Sequence, residues 1–385
     1  MARDISVAII EPIGGHGGMD YYDFGLCRGL LAAGCGVSLY TCDETAAPVI
    51  DGLGFYPIYK RIFGRGNRWM RACRYLSGNV GALTRAMVHG EKICHLHIFQ
   101  GAMEELSLVV LSKLFRRKVI ITIHDVESFS PVVSSRRMIG SVYRLADRLV
   151  VHNQVSKREL VDKLGMSPSK VEVIPSGNYL DDALERSQPS EAKRSLGISE
   201  ASRVILFFGH IREVKGLDIV INALPAVALE IPEVMLVVAG RPLKKDFSFY
   251  ERLIDSLGIR DRCVLHIRYI PNDELPLYFA AADIVALPYR RIYQSAVILL
   301  AMSYGRAVVV SDLPGMTEMV TDGENGYVFE QGSAKSLSEQ LIRALQDEQK
   351  REAVALRALE YVRKNNDWEQ IGKQTAMLYR AVLSN

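Results

Sequence analysis

Short runs of apolar, β-branched residues recur along the chain, separated by longer stretches in which apolar positions repeat with a helical period. The first series of runs falls at residues 5–10, 36–41, 94–99, 118–123, 147–152 and 171–174. Runs of this length without polar alternation predict strands buried on both faces, and helix-length spacers predict βα units of a parallel sheet. The pattern then restarts at 203–208, 234–239, 263–267, 283–288, 307–312 and 326–329. Two complete series predict two doubly wound α/β domains, because one sheet of a dozen strands would be unusual. The joint is expected near residue 185, in the polar, turn-rich stretch between Pro175-Ser176-Gly177-Asn178 and Ser187-Gln188-Pro189-Ser190. Domains are therefore expected at 1–185 and 186–365. Beyond Phe329 the pattern is wholly helical, and residues 366–385 read as a terminal helix.

Composition narrows the class. The chain has 385 residues, 49% hydrophobic and 24% charged, with 30 glycines and 14 prolines. Such a composition excludes disordered, collagenous and small disulfide-stapled folds. A net charge of +3 gives no case for nucleic acid as a partner. The six cysteines, at 27, 35, 42, 73, 94 and 263, show no CxxC spacing and lie mostly in apolar runs, which reads as reduced core thiols in a reducing compartment. The apolar run after Arg3 is too short for a signal peptide or a membrane span, and no other run reaches the length a span needs. The expectation is a cytoplasmic protein, with a resting place on the inner face of the plasma membrane left open.

Candidate chemistry lies where strands end and helices begin. Four glycines in Gly14-Gly15-His16-Gly17-Gly18 follow the first strand and would let a backbone approach a ligand; a plain tight turn is the simpler alternative. The spacing is not that of a dinucleotide fingerprint. In Phe208-Gly209-His210-Ile211-Arg212-Glu213-Val214-Lys215-Gly216, Arg212 and Lys215 are close enough in sequence to reach one diphosphate. An ordinary solvated basic turn is the alternative. Later, Gln294, Ser295, Ala296 and Val297 open an apolar helix, where exposed amides could hold phosphate oxygens or simply form an N-terminus. The histidines look scattered, and His95 and His97 are expected on opposite faces of their strand, so no metal site is expected.

The order FGHIREVKGLDIVINAL, LVVAG, AAADIVALPY and AMSYGRAVVVSDLPGMTEMVTDGENGYVF resembles the donor domain of the family 4 retaining glycosyltransferases of GT-B fold. In the first half, the Gly-rich loop, Thr122-Ile123-His124-Asp125 and ADRLVVHNQVSKREL are similar to the same family. The resemblance implies two Rossmann-like domains about a cleft, with the last helix, carrying Trp368 to Tyr379, returning to the first domain. It further implies a nucleotide-sugar donor, UDP- or GDP-linked, and no cofactor. Arg212 and Lys215 would bind the diphosphate, aided by Gly209, His210 and the amides at Ser295, Ala296 and Val297. His124 would contact the donor sugar, the nucleobase would meet Arg268, Tyr269 and Ile270, and Gly15, Gly17 and Gly240 would lie along the donor. Family members carry two glutamates in the last loop and helix; here Ile292 and Leu300 stand at those positions, and the chain resembles a Gln-Ser branch in which Gln294 or Ser295 takes over sugar contacts.

Residues 59–75 read YKRIFGRGNRWMRACRY, with no acid. Lys60, Arg61, Arg65, Arg68, Trp69 and Arg71 could grip a pyrophosphate-linked acceptor or lie on anionic lipid; a solvated helix face is the alternative. The expected function is retaining, metal-independent sugar transfer to a glycan or lipid-linked glycan in cell-surface polysaccharide biosynthesis. A relative that binds a nucleotide or glycan without transferring is the competing class. A sugar-nucleotide epimerase lacks a visible pair of acids.

Overall fold

The computed structural model describes residues 5–17, 19–64, 67–98, 103–124, 126, 136–181, 183, 188–243 and 246–384. The chain divides into two compact units, Met1–Gly177 with Asn366–Asn385, and Asn178–Asn365. The division falls at Gly177, ahead of the joint expected near residue 185, which itself lies outside the described residues. The residues after Gly177 are bonded into the second unit, where the Tyr179 amide donates to Ser303 Oγ at 3.0 Å and Asn178 Nδ2 to the Val362 carbonyl at 3.4 Å.

In the first unit the described strands are β1 (Ser6–Ile10), β2 (Gly36–Cys42), β3 (Leu53–Tyr59), β4 (Ile93–Ile98), β5 (Lys118–Ile123), β6 (Arg148–Val151) and β7 (Val171–Val173). They form one parallel sheet in the order β3-β2-β1-β4-β5-β6-β7. Its helices are α1 (Gly14–Gly17), α2 (Asp20–Ala32), α3 (Arg68–Val88), α4 (Met103–Leu114), α5 (Arg136–Leu145) and α6 (Gln154–Leu164). The strand β3 is absent from the sequence pattern because Gly54 and Pro57 interrupt its apolar run. It occupies the sheet edge, where a proline without an N–H leaves no ladder bond unmade.

The second unit holds α7 (Pro189–Ser195), β8 (Arg203–Phe208), α8 (Leu217–Glu230), β9 (Val234–Ala239), α9 (Ser248–Ser256), β10 (Cys263–His266), α10 (Leu275–Ala281) and β11 (Ile284–Leu287). It continues through α11 (Ala296–Ser303), β12 (Ala307–Ser311), α12 (Pro314–Thr317), β13 (Tyr327–Phe329), α13 (Ala334–Gln346) and α14 (Glu348–Asn365). The parallel sheet runs β10-β9-β8-β11-β12-β13, so the strand order reverses between β8 and β11. Open α/β sheets bind ligands at that reversal, beyond the carboxyl ends of the strands. Residues on both faces of the central strands are buried, as near-continuous apolar runs require.

The last helix, α15 (Trp368–Ser384), belongs to the first unit. It packs on α2 through backbone contact: a methyl group added at Gly372 would lie 2.0 Å from the Gly29 carbonyl carbon. Trp368 meets Tyr22 edge-on with ring centroids 5.4 Å apart. At the far end the Tyr379 hydroxyl bonds His95 Nδ1 at 2.6 Å, and the other nitrogen of that ring bonds Thr122 Oγ1 at 2.7 Å. A buried imidazole with a hydroxyl at each nitrogen is satisfied in its neutral form.

Candidate functional site

The carboxyl end of the second sheet gathers cations and aromatic rings. The loop after β8 is pinned to the loop after β9: the Ile211 amide donates to the Arg241 carbonyl at 2.9 Å, and the Leu243 amide to the Ile211 carbonyl at 3.1 Å. The two loops meet at glycine. Gly240 has φ of +154°, and a Cβ there would lie 1.9 Å from the Gly209 carbonyl oxygen. Any side chain would push the loops apart. Desolvation, and then the charges of Arg241, Lys215 and Arg212, hold the His210 imidazole below its ordinary pKa. Three cations thus act on one place. Arg241 is a residue that sequence reasoning missed; its signal is Gly240-Arg241-Pro242 at the end of an apolar run, the same context that singled out Arg212.

Lys215 has a defined seat, with its Nζ 3.7 Å from the centroid of the Tyr289 ring. A cation over an aromatic face is attracted by the ring quadrupole and loses freedom of movement. The Tyr289 hydroxyl lies 3.1 Å from Ser295 Oγ, and Ser295 is the N-cap residue of α11. Serine at an N-cap usually accepts from the first turn of its helix. Here the hydroxyl is turned to Tyr289 and makes no cap bond. The first amides of α11, those of Ala296 and Val297 among them, carry no side-chain cap, and the positive end of the helix dipole adds to their pull on an anion. Gly209 lies against this turn, its added Cβ meeting Val297 Cγ2 at 3.4 Å. The neighbouring Gln294 holds its Oε1 buried with no hydrogen-bond partner among the described residues. Ser295 is buried and engaged, so of the two residues expected to reach a sugar, Gln294 has the open acceptor.

Arg212 lines a cavity of about 560 Å3 with Glu213, Asp218, Phe249 and Arg290, where Arg290 is held bidentate by Asp218 at 2.8 and 2.6 Å. Arg268 forks onto Glu274 at 2.9 and 2.5 Å, while Tyr269 beside it is exposed and lies beneath the Arg241 guanidinium. Ile270 points into the core, which leaves only its backbone for a ligand. Ile292 packs against the core and Leu300 is buried within it.

In the first unit the Gly-rich loop differs from expectation. Its amides are bonded internally: Ile13 N–H donates to Glu11 Oε1 at 2.9 Å, Gly14 N–H donates to the other Glu11 oxygen, and Gly15 N–H donates to Thr45 Oγ1 at 3.0 Å. The Gly15 amide therefore offers nothing to a ligand, because a buried carboxylate and a threonine already satisfy this turn. Gly17 closes the single turn of α1, and Gly18 and Asp125 lie outside the described residues.

Four of the eight histidines are gathered, not scattered. Residues two apart on a strand share a face, so His95 and His97 lie together, ring centroids 5.4 Å apart. His124 and His152 join them at 5.3 and 5.1 Å from ring to ring. Among the described residues no group of three or more His, Cys, Asp or Glu has the arrangement of a metal site. The bonding fixes the tautomers. His152 Nδ1 lies 3.0 Å from the Ile174 carbonyl, which can only accept, so that nitrogen carries the proton. Burial holds the His152 pKa down to about 4, so the ring is neutral and its Nε2 accepts from His124 Nδ1 at 3.3 Å. Burial, then His152, His97 and His95, hold His124 neutral as well. Its Nε2 is then a lone-pair acceptor suited to a hydroxyl.

Burial also lowers His97 to a pKa of about 3. Its Nδ1 lies 3.1 Å from Asp23 Oδ1, outside hydrogen-bonding angles, and Asp23 faces Glu11, both acids being buried and raised in pKa chiefly by desolvation. A histidine lowered in the folded state binds its proton only on unfolding, so its cost appears as pH falls below about 6.5. Replacing His97 by Asn removes that cost. Relative to wild type, the variant is expected to gain about 1.4 kcal/mol per pH unit between pH 6.5 and about 3. Urea melts of both proteins across that range check the slope, and parallel curves would contradict it.

The basic segment divides between two surfaces. Arg68, Arg71, Phe63, Tyr75 and His97 line a cavity of about 420 Å3, with Arg71 also donating to the Gly64 carbonyl at 3.2 Å. Lys60 and Arg61 are exposed, Trp69 is 81% exposed, and Arg65 lies outside the described residues.

Comparison with known proteins agrees with both halves. Residues 189–360 match the model of glycosyl transferases group 1, and residues 16–181 match that of glycosyltransferase family 4. The chain is 25% identical to the D-inositol 3-phosphate glycosyltransferase of a Nocardioides species, over 95% of this chain and 86% of that protein. It is 31% identical to the protein of that name from Salinispora arenicola, over 50% of this chain, an alignment spanning 46% of the relative. Among solved structures, HepE of Anabaena, in complex with UDP and glucose, superimposes with a TM-score of 0.76 at 20% identity, covering 98% of this chain and all of that one. Sucrose-phosphate synthase of Thermosynechococcus elongatus gives 0.77 at 20% identity, covering 99% of each. Two parallel-sheet, Rossmann-like units of GT-B fold, matched half by half to these two glycosyltransferase models, make the chain a glycosyltransferase of group 1 type.

Proposed function

We propose that the protein transfers a sugar, with retention and without a metal ion, from a nucleotide-sugar to a hydroxyl of a glycan or lipid-linked glycan in cell-surface polysaccharide biosynthesis. One observation carries the reading: Lys215 is seated on Tyr289, whose hydroxyl turns Ser295 away from the uncapped start of α11, at the reversal point of the sheet. An ammonium, a guanidinium from Arg212 and helix-terminal amides suit a diphosphate, and they need no rearrangement as charge grows on it. In the reaction the bond from the anomeric carbon to the phosphate oxygen breaks. The acceptor oxygen bonds that carbon from the same face, and its proton passes to the departing phosphate. No side-chain nucleophile is required; the protein lowers the barrier by holding the leaving group more tightly as it becomes more negative.

The remaining donor contacts follow from placement. Tyr269 offers an exposed ring to the base and the 268–270 backbone its polar edges. Gln294 Oε1 accepts from a sugar hydroxyl. The cavity bearing Arg68 and Arg71 takes the acceptor, and their guanidiniums share its lining with the carboxylates of Glu104 and Glu105. The name of the D-inositol 3-phosphate glycosyltransferases puts a phosphorylated polyol beside lipid-pyrophosphate glycans as acceptors to try.

Nucleoside diphosphate release from UDP-, GDP- and ADP-sugars, with each acceptor and with a chelator present, tests the proposal. Acceptor-dependent release that survives chelation is expected; tight binding without release would instead mark a binding protein. On an active pair, Gln294→Leu is expected to lower kcat/KM about tenfold or more, since it deletes the open acceptor. Unchanged kinetics would remove Gln294 from the sugar site.

A further inference from the structure

We propose that the outer face of α3, continued by α4, docks onto an anionic lipid surface. The helix α3 is 21 residues long, about 31 Å. Trp69, Cys73, Leu76, Val80 and Met87 are all exposed along it. At 100° per residue they fall within about 60° of one another, a narrow apolar stripe running the whole helix on the side away from the core. Trp69 is 81% exposed, and Val88 at the other end 77%. Soluble surfaces scatter such residues singly; a continuous stripe marks an interaction site.

The neighbouring helix extends the stripe. The two helices are joined where Asn79 Nδ2 of α3 donates to Ser107 Oγ of α4 at 3.1 Å. On α4, Met103, Val110 and Leu114 are exposed at helical spacing.

Charge selects the occupant. The helix α3 carries Arg68, Arg71, Arg74 and Arg85 and no acid. Arg74 donates to the Arg61 carbonyl and Arg85 lies over the Tyr56 ring, partners that fix the side chains without cancelling charge. Lys60 and Arg61 are exposed just ahead of the helix. Glu104 and Glu105 of α4 share the cavity of Arg68 and Arg71, so the cations left outside it are Lys60, Arg61, Arg74 and Arg85, and apolar residues flanked by these match an interface of acyl chains beneath anionic headgroups. A second copy of this face would bring the same cations against each other, which disfavours self-association. The segment that looked uniform in sequence thus serves two surfaces, Arg68 and Arg71 lining the cavity and the apolar stripe facing outward.

Flotation with vesicles of phosphatidylcholine, alone or mixed with phosphatidylglycerol, tests this without donor or acceptor, so its outcome is separate from that of the transferase reading. Binding is expected to the mixed vesicles only, with release at high salt. Of the two tryptophans only Trp69 is exposed, so its emission should shift to the blue on binding. Leu76→Ser with Val80→Ser should reduce the bound fraction about tenfold or more while leaving the melting temperature unchanged. Binding indifferent to lipid charge would overturn the proposal. So would a dimer that the same substitutions dissociate in a protein that ignores vesicles, since the stripe would then belong to a second copy.

Discussion

Lys215→Ala is expected to lower kcat/KM about 10²- to 10³-fold, the scale on which removing one preorganised charge from a developing anion acts. Its ammonium is fixed over Tyr289 before any ligand arrives, so the energy of ordering it is already met in the folded protein. The loss should fall mainly on kcat, because the charge on the leaving diphosphate grows on the way to the transition state. Tyr289→Leu offers a second view. It keeps the ammonium but removes its seat and the bond to Ser295, so the α11 amides regain a competing cap. Its effect should have the same sign and be smaller. Arg241→Ala, at a position the sequence reading passed over, should weaken donor binding, since Arg241 acts on the same imidazole as Lys215 and Arg212. Steady-state kinetics on any turned-over donor decides each case; a Lys215→Ala enzyme with wild-type kcat would remove the residue from the reaction.

Asp283→Ala should give the largest loss of stability, about 3–5 kcal/mol in the second unit. Asp283 accepts from Lys193 Nζ at 3.1 Å, from the Val204 amide at 2.8 Å and from Arg351 at 3.3 Å. Lys193 and Arg351 are themselves buried, and among the described residues Lys193 finds one further acceptor, the Ser202 carbonyl at 2.7 Å. Deleting the carboxylate takes an acceptor from two buried cations and an amide at once, leaving Arg351 with Glu348 at 3.6 Å and the Ala344 carbonyl at 3.4 Å. The cluster sits at the amino ends of β8 and β11, the opposite end of the sheet from Lys215, so the variant should keep its donor affinity while it remains folded. Calorimetry should show the unfolding transition of this unit lowered by roughly 10 °C. A shift of a degree or two would mean that water replaces the carboxylate cheaply.

The sequence carried the layout of both sheets because parallel strands buried on two faces leave unbroken apolar runs. It concealed β3, whose glycine and proline are tolerable only at an edge. It showed Lys215 and the start of α11 as separate features, since Tyr289, which joins them, is one aromatic residue among many until the fold brings it beneath the ammonium. The Gly-rich loop misled in the opposite way. Its glycines were visible, while Glu11 and Thr45, which accept from the Gly14 and Gly15 amides, looked like ordinary polar residues. The histidine cluster was lost to an error of parity along β4, and its other two members directly follow the ends of β5 and β6, a neighbourhood that no local pattern reveals. Along α3 the charge was evident, but the partition of its arginines and its apolar stripe between two surfaces depends on the angle at which the helix packs.

The central claim is that Lys215, Arg212 and the amides of α11 hold a diphosphate. Calorimetric titration of wild type and Lys215→Ala with a nucleoside diphosphate and the monophosphate of the same base tests it most directly. Wild type should favour the diphosphate by about tenfold or more, and the variant should lose that preference while still binding the nucleoside. A variant that discriminates between the two ligands as wild type does would contradict the account.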